Sequence, residues 1–236
     1  MNLNLVNLDI VIPCYNPPEN WSKVFVQSCN EIIKSLPTYD ISFILVNDGS
    51  KKNIDAAQLK MIRSKITNLN YIYVNQNKGK GAAVRKGFEA SKADFVLFTD
   101  IDFPYRTENL FSMVARLKQG ADIVIGVRDA HYYKQIPAFR AKLSKFFKSL
   151  VKFLFNIPTT ETQAGLKAFS AKGKQIVLQT TINRYLFDLE LVKLASRQNL
   201  KFAYVPLSLK DGVVLSKMSF NVLLSESFNL IKILFK

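Results

Sequence analysis

The feature that most constrains this chain is a repeated change of hydrophobic period. Short, continuous apolar runs rich in β-branched residues are each followed by turn residues and then by a helical pattern. "LDIVIP" (8–13) precedes "WSKVFVQSCNEIIKSL", "ISFILVND" (41–48) precedes "IDAAQLKMIRSKI", and "YIYVN" (71–75) precedes "GAAVRKGFEAS". "DFVLFTD" (94–100) then precedes "ENLFSMVARLKQG", and "ADIVIG" (121–126) follows. Strands that read as unbroken apolar runs are buried on both faces, so the pattern predicts an α/β fold: a mostly parallel central sheet with helices on both sides. At 236 residues, 48% of them hydrophobic, the chain can bury a substantial core.

In a sheet of this kind the ligand crevice lies beyond the carboxyl ends of the strands. Polar clusters fall at those ends: "PCYN" after the first run, "NDGS" after the second, "DID" after the fourth and "GVRD" after the fifth. Each alone is ordinary turn chemistry. Together they converge on one rim.

After Arg128 the alternation stops. "FRAKLSKFFKSLVKFLF" (139–155) sets Phe139, Leu143, Phe146, Leu150 and Leu154 on one helical face, with Lys142, Lys145, Lys148 and Lys152 on the other. The final "FNVLLSESFNLIKILFK" repeats the theme. Each is either a surface helix packed on the core or an in-plane helix at a membrane surface. The expected division is a domain over 1–212 and a C-terminal amphipathic segment over 213–236.

The net charge of +15 favours anionic partners such as phosphates, nucleic acid or an acidic bilayer surface. Two cysteines and one histidine exclude a disulfide framework and a zinc site, and fit a reducing, cytoplasmic compartment. The N-terminal stretch lacks the pattern of a signal peptide, and no apolar run approaches the roughly 20 residues that span a bilayer.

"FTDIDFP" (98–104) puts two carboxylates one residue apart at a strand end. Anions that close repel each other and call for a counter-charge, either a divalent cation or a Lys/Arg partner. Hard oxygen ligands suit Mg²⁺ or Mn²⁺ completed by a substrate's phosphates. The alternative is structural, with Asp102 capping the turn before helix 108–119.

The ordered series "VIPCYN", "VNDGS", "NKGKGAAVRKG", "FTDIDFPY", "GVRD", "ETQAGLKAFS", "RYLFDLELV" and "VPLSLKDG" spans residues 8–217. It resembles the inverting glycosyltransferases of family 2 with the GT-A fold, and among them is similar to the polyprenyl-phosphate sugar synthases that make dolichyl-phosphate mannose and glucose. The resemblance implies that Pro13, Tyr15, Asn16, Val46 and Asp48 hold the nucleoside. It implies that Asp100 and Ile101 face the nucleotide, with Asp102 the metal ligand and Asp100 beside it. Lys78, Lys80, Arg85 and Lys217 are then candidates for phosphate, with Lys210 and Lys217 only loosely matching the family's final basic segment. Arg128, Arg140, Ser144 and Gln163 match positions that bind an acceptor phosphate. Lys167 lies in "ETQAGLK", and Asp188 and Glu190 in "FDLEL", which faces the site in the family. Pro17 stands where the family has a glutamate and Pro104 where mannose synthases have a glutamine, so the metal has fewer protein ligands here.

The chemistry implied is transfer of a sugar from a nucleotide-diphosphate donor, UDP- or GDP-linked, with Arg128 and Asp102 serving the leaving group. A saccharide hydroxyl acceptor needs a carboxylate base, for which Asp188 and Glu190 are the candidates. A lipid-phosphate acceptor is already ionised and needs cations for positioning. The lipid phosphate fits Arg128 and Arg140 better, because guanidinium groups hold phosphate through paired hydrogen bonds. The expected enzyme is metal-dependent, peripheral to the inner face of a membrane, with no nucleic acid bound and with a second copy or a membrane protein as possible partner. The competing class is a non-enzymatic basic binding module, against which the acidic groups at the rim count, since they repel a polyanion.

Overall fold

The computed structural model describes residues 6–128 and 164–210 continuously, ten positions between 142 and 162, and Leu230 and Ile233. Among the described residues there are seven strands and six helices, in the order β1 (Val6–Cys14), α1 (Trp21–Ser35), β2 (Tyr39–Asp48), α2 (Ala56–Lys65), β3 (Leu69–Val74), α3 (Lys80–Ala90), β4 (Phe95–Phe98), α4 (Thr107–Lys118), β5 (Ile123–Arg128), β6 (Lys167–Phe169), α5 (Ala171–Gln179), α6 (Phe187–Arg197) and β7 (Phe202–Leu207). The expected strands and helices up to Arg128 are all present.

One sheet runs β3-β2-β1-β4-β6-β5-β7. Every pair is parallel except those of β6, which runs antiparallel to β4 and β5. β4 and β5 therefore point the same way without touching, and β6 fills the gap between them. The reversal carries the start of β6 to the rim, where Lys167 stands opposite Phe98 of β4 and Ile125 of β5. The sequence pattern contains no sign of this insertion, because β6 is three residues long.

Alternation along each strand divides the core in two. Ile10, Ile12, Phe43 and Leu97 point into one apolar cluster with Phe25 of α1 and Met113 of α4. Val11, Ile44, Val46 and Phe98 point into the other with Val84 and Phe88 of α3 and Phe187 of α6. Helices thus cover both faces, which is why the strand sequences are apolar throughout.

Of the basic helix expected over 139–155, Val151 and Phe155 are buried, while Phe153 is 87% exposed and Ser149 and Lys142 are also exposed. The inward contact comes from Val151 and Phe155 together with the partly buried Leu154 of the expected stripe. Phe155 lies beneath the Lys193 ammonium, whose nitrogen is 5.3 Å from the ring centroid. The C-terminal stripe of Phe220, Leu224, Phe228, Ile231 and Phe235 lies outside the described residues; of that segment only Leu230 and Ile233 are described, and Ile233 is buried.

Candidate active site

The two aspartates owe their positions to the way β4 ends. Thr99 N donates to Val11 O at 3.1 Å, extending the ladder past the strand, and Phe103 N then donates to Asp100 O at 3.0 Å, closing a tight turn. Phe103 has a φ of 43°, a left-handed conformation that a residue with a side chain rarely adopts. Burial of its ring offsets that strain: the ring meets Phe25 edge-on, with centroids 5.9 Å apart. The turn lifts Asp102 into solvent. Asp102 is not the N-cap of α4, which is Arg106.

Asp100 is held from two sides. Lys80, the first residue of α3, donates from Nζ to Asp100 Oδ1 at 2.5 Å. Oδ2 lies over Gly165, just before β6, so closely that a Cβ there would fall 1.9 Å away. Behind this pair, Lys167 is fully buried and donates to Asp188 Oδ1 at 2.6 Å and to Ala164 O at 2.7 Å. Both ammonium groups lie near the Phe98 ring, at 5.7 Å from its centroid for Lys80 and 5.3 Å for Lys167.

Burial and then the nearby Asp100 charge push the Asp102 carboxyl up to about 6, opposed by a hydrogen bond from its own backbone and by the Lys80 charge. For Lys80, burial works against the charge but is outweighed by Asp100 and Asp188, and its pKa is raised. Burial lowers Lys167 and raises Asp188, each opposed by the attraction of the other. Two crowded carboxylates with hard oxygen donors fit Mg²⁺ or Mn²⁺. No cluster of three or more metal-ligating side chains occurs among the described residues. A cation on these two carboxylates would draw the rest of its shell from ligand and water.

This rim belongs to a recognisable lineage, for residues 9–175 match the family Glycosyl transferase family 2. The chain belongs to glycosyltransferase family 2. It is 28% identical to a dolichyl-phosphate beta-glucosyltransferase of Trichomonas vaginalis, over 97% of this chain and 73% of that protein. It is 27% identical to the undecaprenyl-phosphate 4-deoxy-4-formamido-L-arabinose transferase of Pseudomonas fluorescens, over 69% of this chain and 46% of that one. A mannosyltransferase from Pyrobaculum calidifontis, solved with GDP-Man and Mn²⁺, shares the fold at 14% identity and a TM-score of 0.57, over 84% of this chain. The family 2 chain spans 54% of that solved chain. The fold is GT-A, as expected.

Elsewhere on the rim of this family 2 glycosyltransferase, the residues expected to hold the nucleoside divide. Tyr15 is 48% exposed at the end of β1. Pro13 is buried beside Val46 in the sheet register, and Val46 is wholly in the core, so it supports the rim from beneath without reaching it. Asn16 Oδ1 accepts from Lys51 N and Lys52 N, at 2.8 and 3.2 Å, and shapes the "NDGS" loop. The buried Asp48 carboxylate accepts from Lys78 N and Gly79 N, at 2.9 and 2.8 Å, and from Asn77 Nδ2 at 3.1 Å. It ties the second polar cluster to the glycine loop that starts α3. Ile101 packs against the core on the α1 side.

Arg128 reaches the rim with a partner that the motifs did not disclose. Its Nε and Nη2 donate to Glu161 Oε1 at 3.0 and 2.5 Å. Arg85 does not face a phosphate: it donates to Thr180 Oγ1, Ile182 O and Asn183 Oδ1 and braces the loop before α6. Glu190 accepts from the backbone of Thr181 and Ile182 at 2.9 and 2.8 Å, so its carboxylate shapes that same loop. Glu190 and Asp188, the two expected bases, are both engaged inside the protein. Arg140, Ser144, Gln163 and Lys217 lie outside the described residues. Gly165 and Glu161 went unrecognised in the motif "ETQAGLK", where the glycine before an apolar run was the available signal.

Proposed function

We propose that this family 2 glycosyltransferase moves a sugar, with inversion, from a nucleoside-diphosphate donor to a polyprenyl phosphate at a membrane surface. The observation that carries the choice of acceptor is the engagement of Asp188 by Lys167 and of Glu190 by the 181–182 backbone. A sugar hydroxyl acceptor requires a base, and both candidates are already committed. A phosphate monoester is ionised near neutral pH and requires none. The names of the relatives point the same way, since they describe transferases acting on dolichyl and undecaprenyl phosphates.

In this reading Asp102 and Asp100 hold a divalent cation, Mg²⁺ or Mn²⁺. When bound, that cation neutralises charge developing on the departing diphosphate. Lys80 stands beside it and supplies a second positive charge directed at the leaving group. Asp48 fixes the glycine loop so that the backbone of Lys78 and Gly79 borders the donor crevice. Tyr15 lies open at the nucleoside end. Arg128, Arg140, Ser144 and Gln163 orient the acceptor phosphate on the side opposite the leaving group, and Lys217 closes on the diphosphate. The catalytic unit spans 1–212, and the basic amphipathic segments lie against an anionic, cytoplasm-facing bilayer surface. The exposure of Phe153, and of Ser149 and Lys142, supports that placement. No helix among the described residues is long and apolar enough to cross a membrane.

The test is a set of UDP- and GDP-sugars offered to the protein with polyprenyl phosphate in liposomes and Mn²⁺. Sugar is expected on the lipid with one donor. Transfer to saccharides but never to the lipid removes the proposed acceptor.

A further inference from the structure

Lys80 and Lys167 both lie against the Phe98 ring, yet they are held very differently. Lys167 is fully buried and grips two acceptors, Asp188 Oδ1 and Ala164 O. Lys80 keeps a side chain that is 18% exposed, and its hydrogen bond is to Asp100 Oδ1, on a carboxylate that is itself 35% exposed. Its backbone is fixed: Gly79 has a φ of 103° and lies against Asn183 O, and Gly81 lies against Ile182 O. Only the flexible stem is left to move. Asp188 attracts the ammonium through space, but its carboxylate accepts a hydrogen bond from Lys167 and none from Lys80.

Each oxygen of Asp100 already has a close neighbour, although the carboxylate is 35% exposed. Lys80 occupies Oδ1, and Oδ2 is seated on Gly165. A cation arriving at Asp102 therefore meets a neighbouring carboxylate that is already neutralised and an ammonium that repels it.

We propose that Lys80 couples cation binding to diphosphate binding: in the free chain its ammonium takes the cation's place on Asp100, and an arriving diphosphate draws it away, releasing Asp100 to the cation. The proposal rests on the donor reading given above and adds a coupling residue to it. Each ligand raises the affinity of the other by the same factor, as linkage requires. Part of that factor is direct coordination of phosphate to metal, and part passes through Lys80.

The experiment titrates Mn²⁺ into the full chain, reading the free ion by electron paramagnetic resonance, with no nucleotide and with saturating UDP or GDP. Lys80→Met keeps the stem without the charge, and Lys80→Gln repeats the comparison with different packing. With nucleotide absent, both variants are expected to bind Mn²⁺ about tenfold tighter than wild type, the loss of one like charge at close range. Nucleotide is expected to strengthen Mn²⁺ binding by a larger factor in wild type than in either variant. Lys80→Arg, which retains the charge, is expected to bind Mn²⁺ alone as weakly as wild type. If the variants bind Mn²⁺ alone no tighter than wild type, or if nucleotide strengthens all proteins equally, the role of Lys80 falls while the donor reading stands. If neither nucleotide strengthens Mn²⁺ binding in any of them, the donor reading falls and takes the coupling with it.

Discussion

Gly165 lies directly beneath Asp100, with space for a hydrogen but not for a methyl group between the glycine Cα and Asp100 Oδ2. The residues leading into β6 thereby form the floor beneath Asp100, in the proposed donor site. A glycine set by backbone approach is expected where one strand end must pass a functional carboxylate.

Gly165→Ala forces Asp100 to turn, since the new Cβ would lie 1.9 Å from Oδ2. The variant is expected to fold and to lose about tenfold or more in metal-dependent nucleotide affinity, because a displaced ligand misaligns the cation. Calorimetry with UDP or GDP and Mn²⁺ measures it. Wild-type affinity would show that Asp100 is not part of the site.

Asp102→Asn removes a charge from an exposed carboxylate that does not cap α4. Stability should stay within about 0.5 kcal/mol of wild type, as for surface substitutions generally. The Mn²⁺-dependent rise in melting temperature with UDP or GDP should vanish. A retained rise moves the metal ligand elsewhere.

Lys167→Met leaves Asp188 buried without its partner. Breaking a buried pair costs about 3–5 kcal/mol, whereas replacing both members with apolar residues is often neutral. Urea unfolding should therefore show a large loss for Lys167→Met and recovery of most of it on adding Asp188→Leu. No recovery would mean that the pair has a partner beyond each other that the double variant strands.

Arg140→Ala is expected to lower sugar transfer to polyprenyl phosphate about tenfold, the scale of one charge-assisted hydrogen bond, with nucleotide binding unchanged. Equal loss of both functions would assign Arg140 to the fold.

Both thiols are buried, Cys14 pushed up to about 12 by burial and Cys29 higher still. A raised thiol pKa keeps the neutral form through pH 8, and the thiolate is the reactive species. A disulfide reagent at pH 8 should leave the native protein untouched and modify two thiols in urea. Fast reaction of the native chain would contradict the packing of α1 against β1.

The order of strands and helices up to Arg128, and the convergence of polar clusters on one rim, were legible from hydrophobic period and turn residues alone. Both signals are local: strand and helix periods differ, and chain punctuation marks the strand ends. The motifs likewise exposed Asp100 and Asp102 as a pair.

The partners of the charged groups were not legible. Lys80 meets Asp100 across 20 positions, Lys167 meets Asp188 across 21, and Arg128 meets Glu161 across 33. Arg85, Asp48 and Glu190 resembled ligand-binding residues, and that they also brace the loops around the crevice was not legible. Which carboxylate an ammonium finds depends on strand order, and a three-residue strand carries too little periodicity to reveal its place or direction. Period and punctuation in the sequence determined the layers and the edge on which chemistry would gather. Insertion of β6 between β4 and β5 decided which charges meet there, because only the folded sheet brings Gly165 and Lys167 against residues fixed far earlier in the chain.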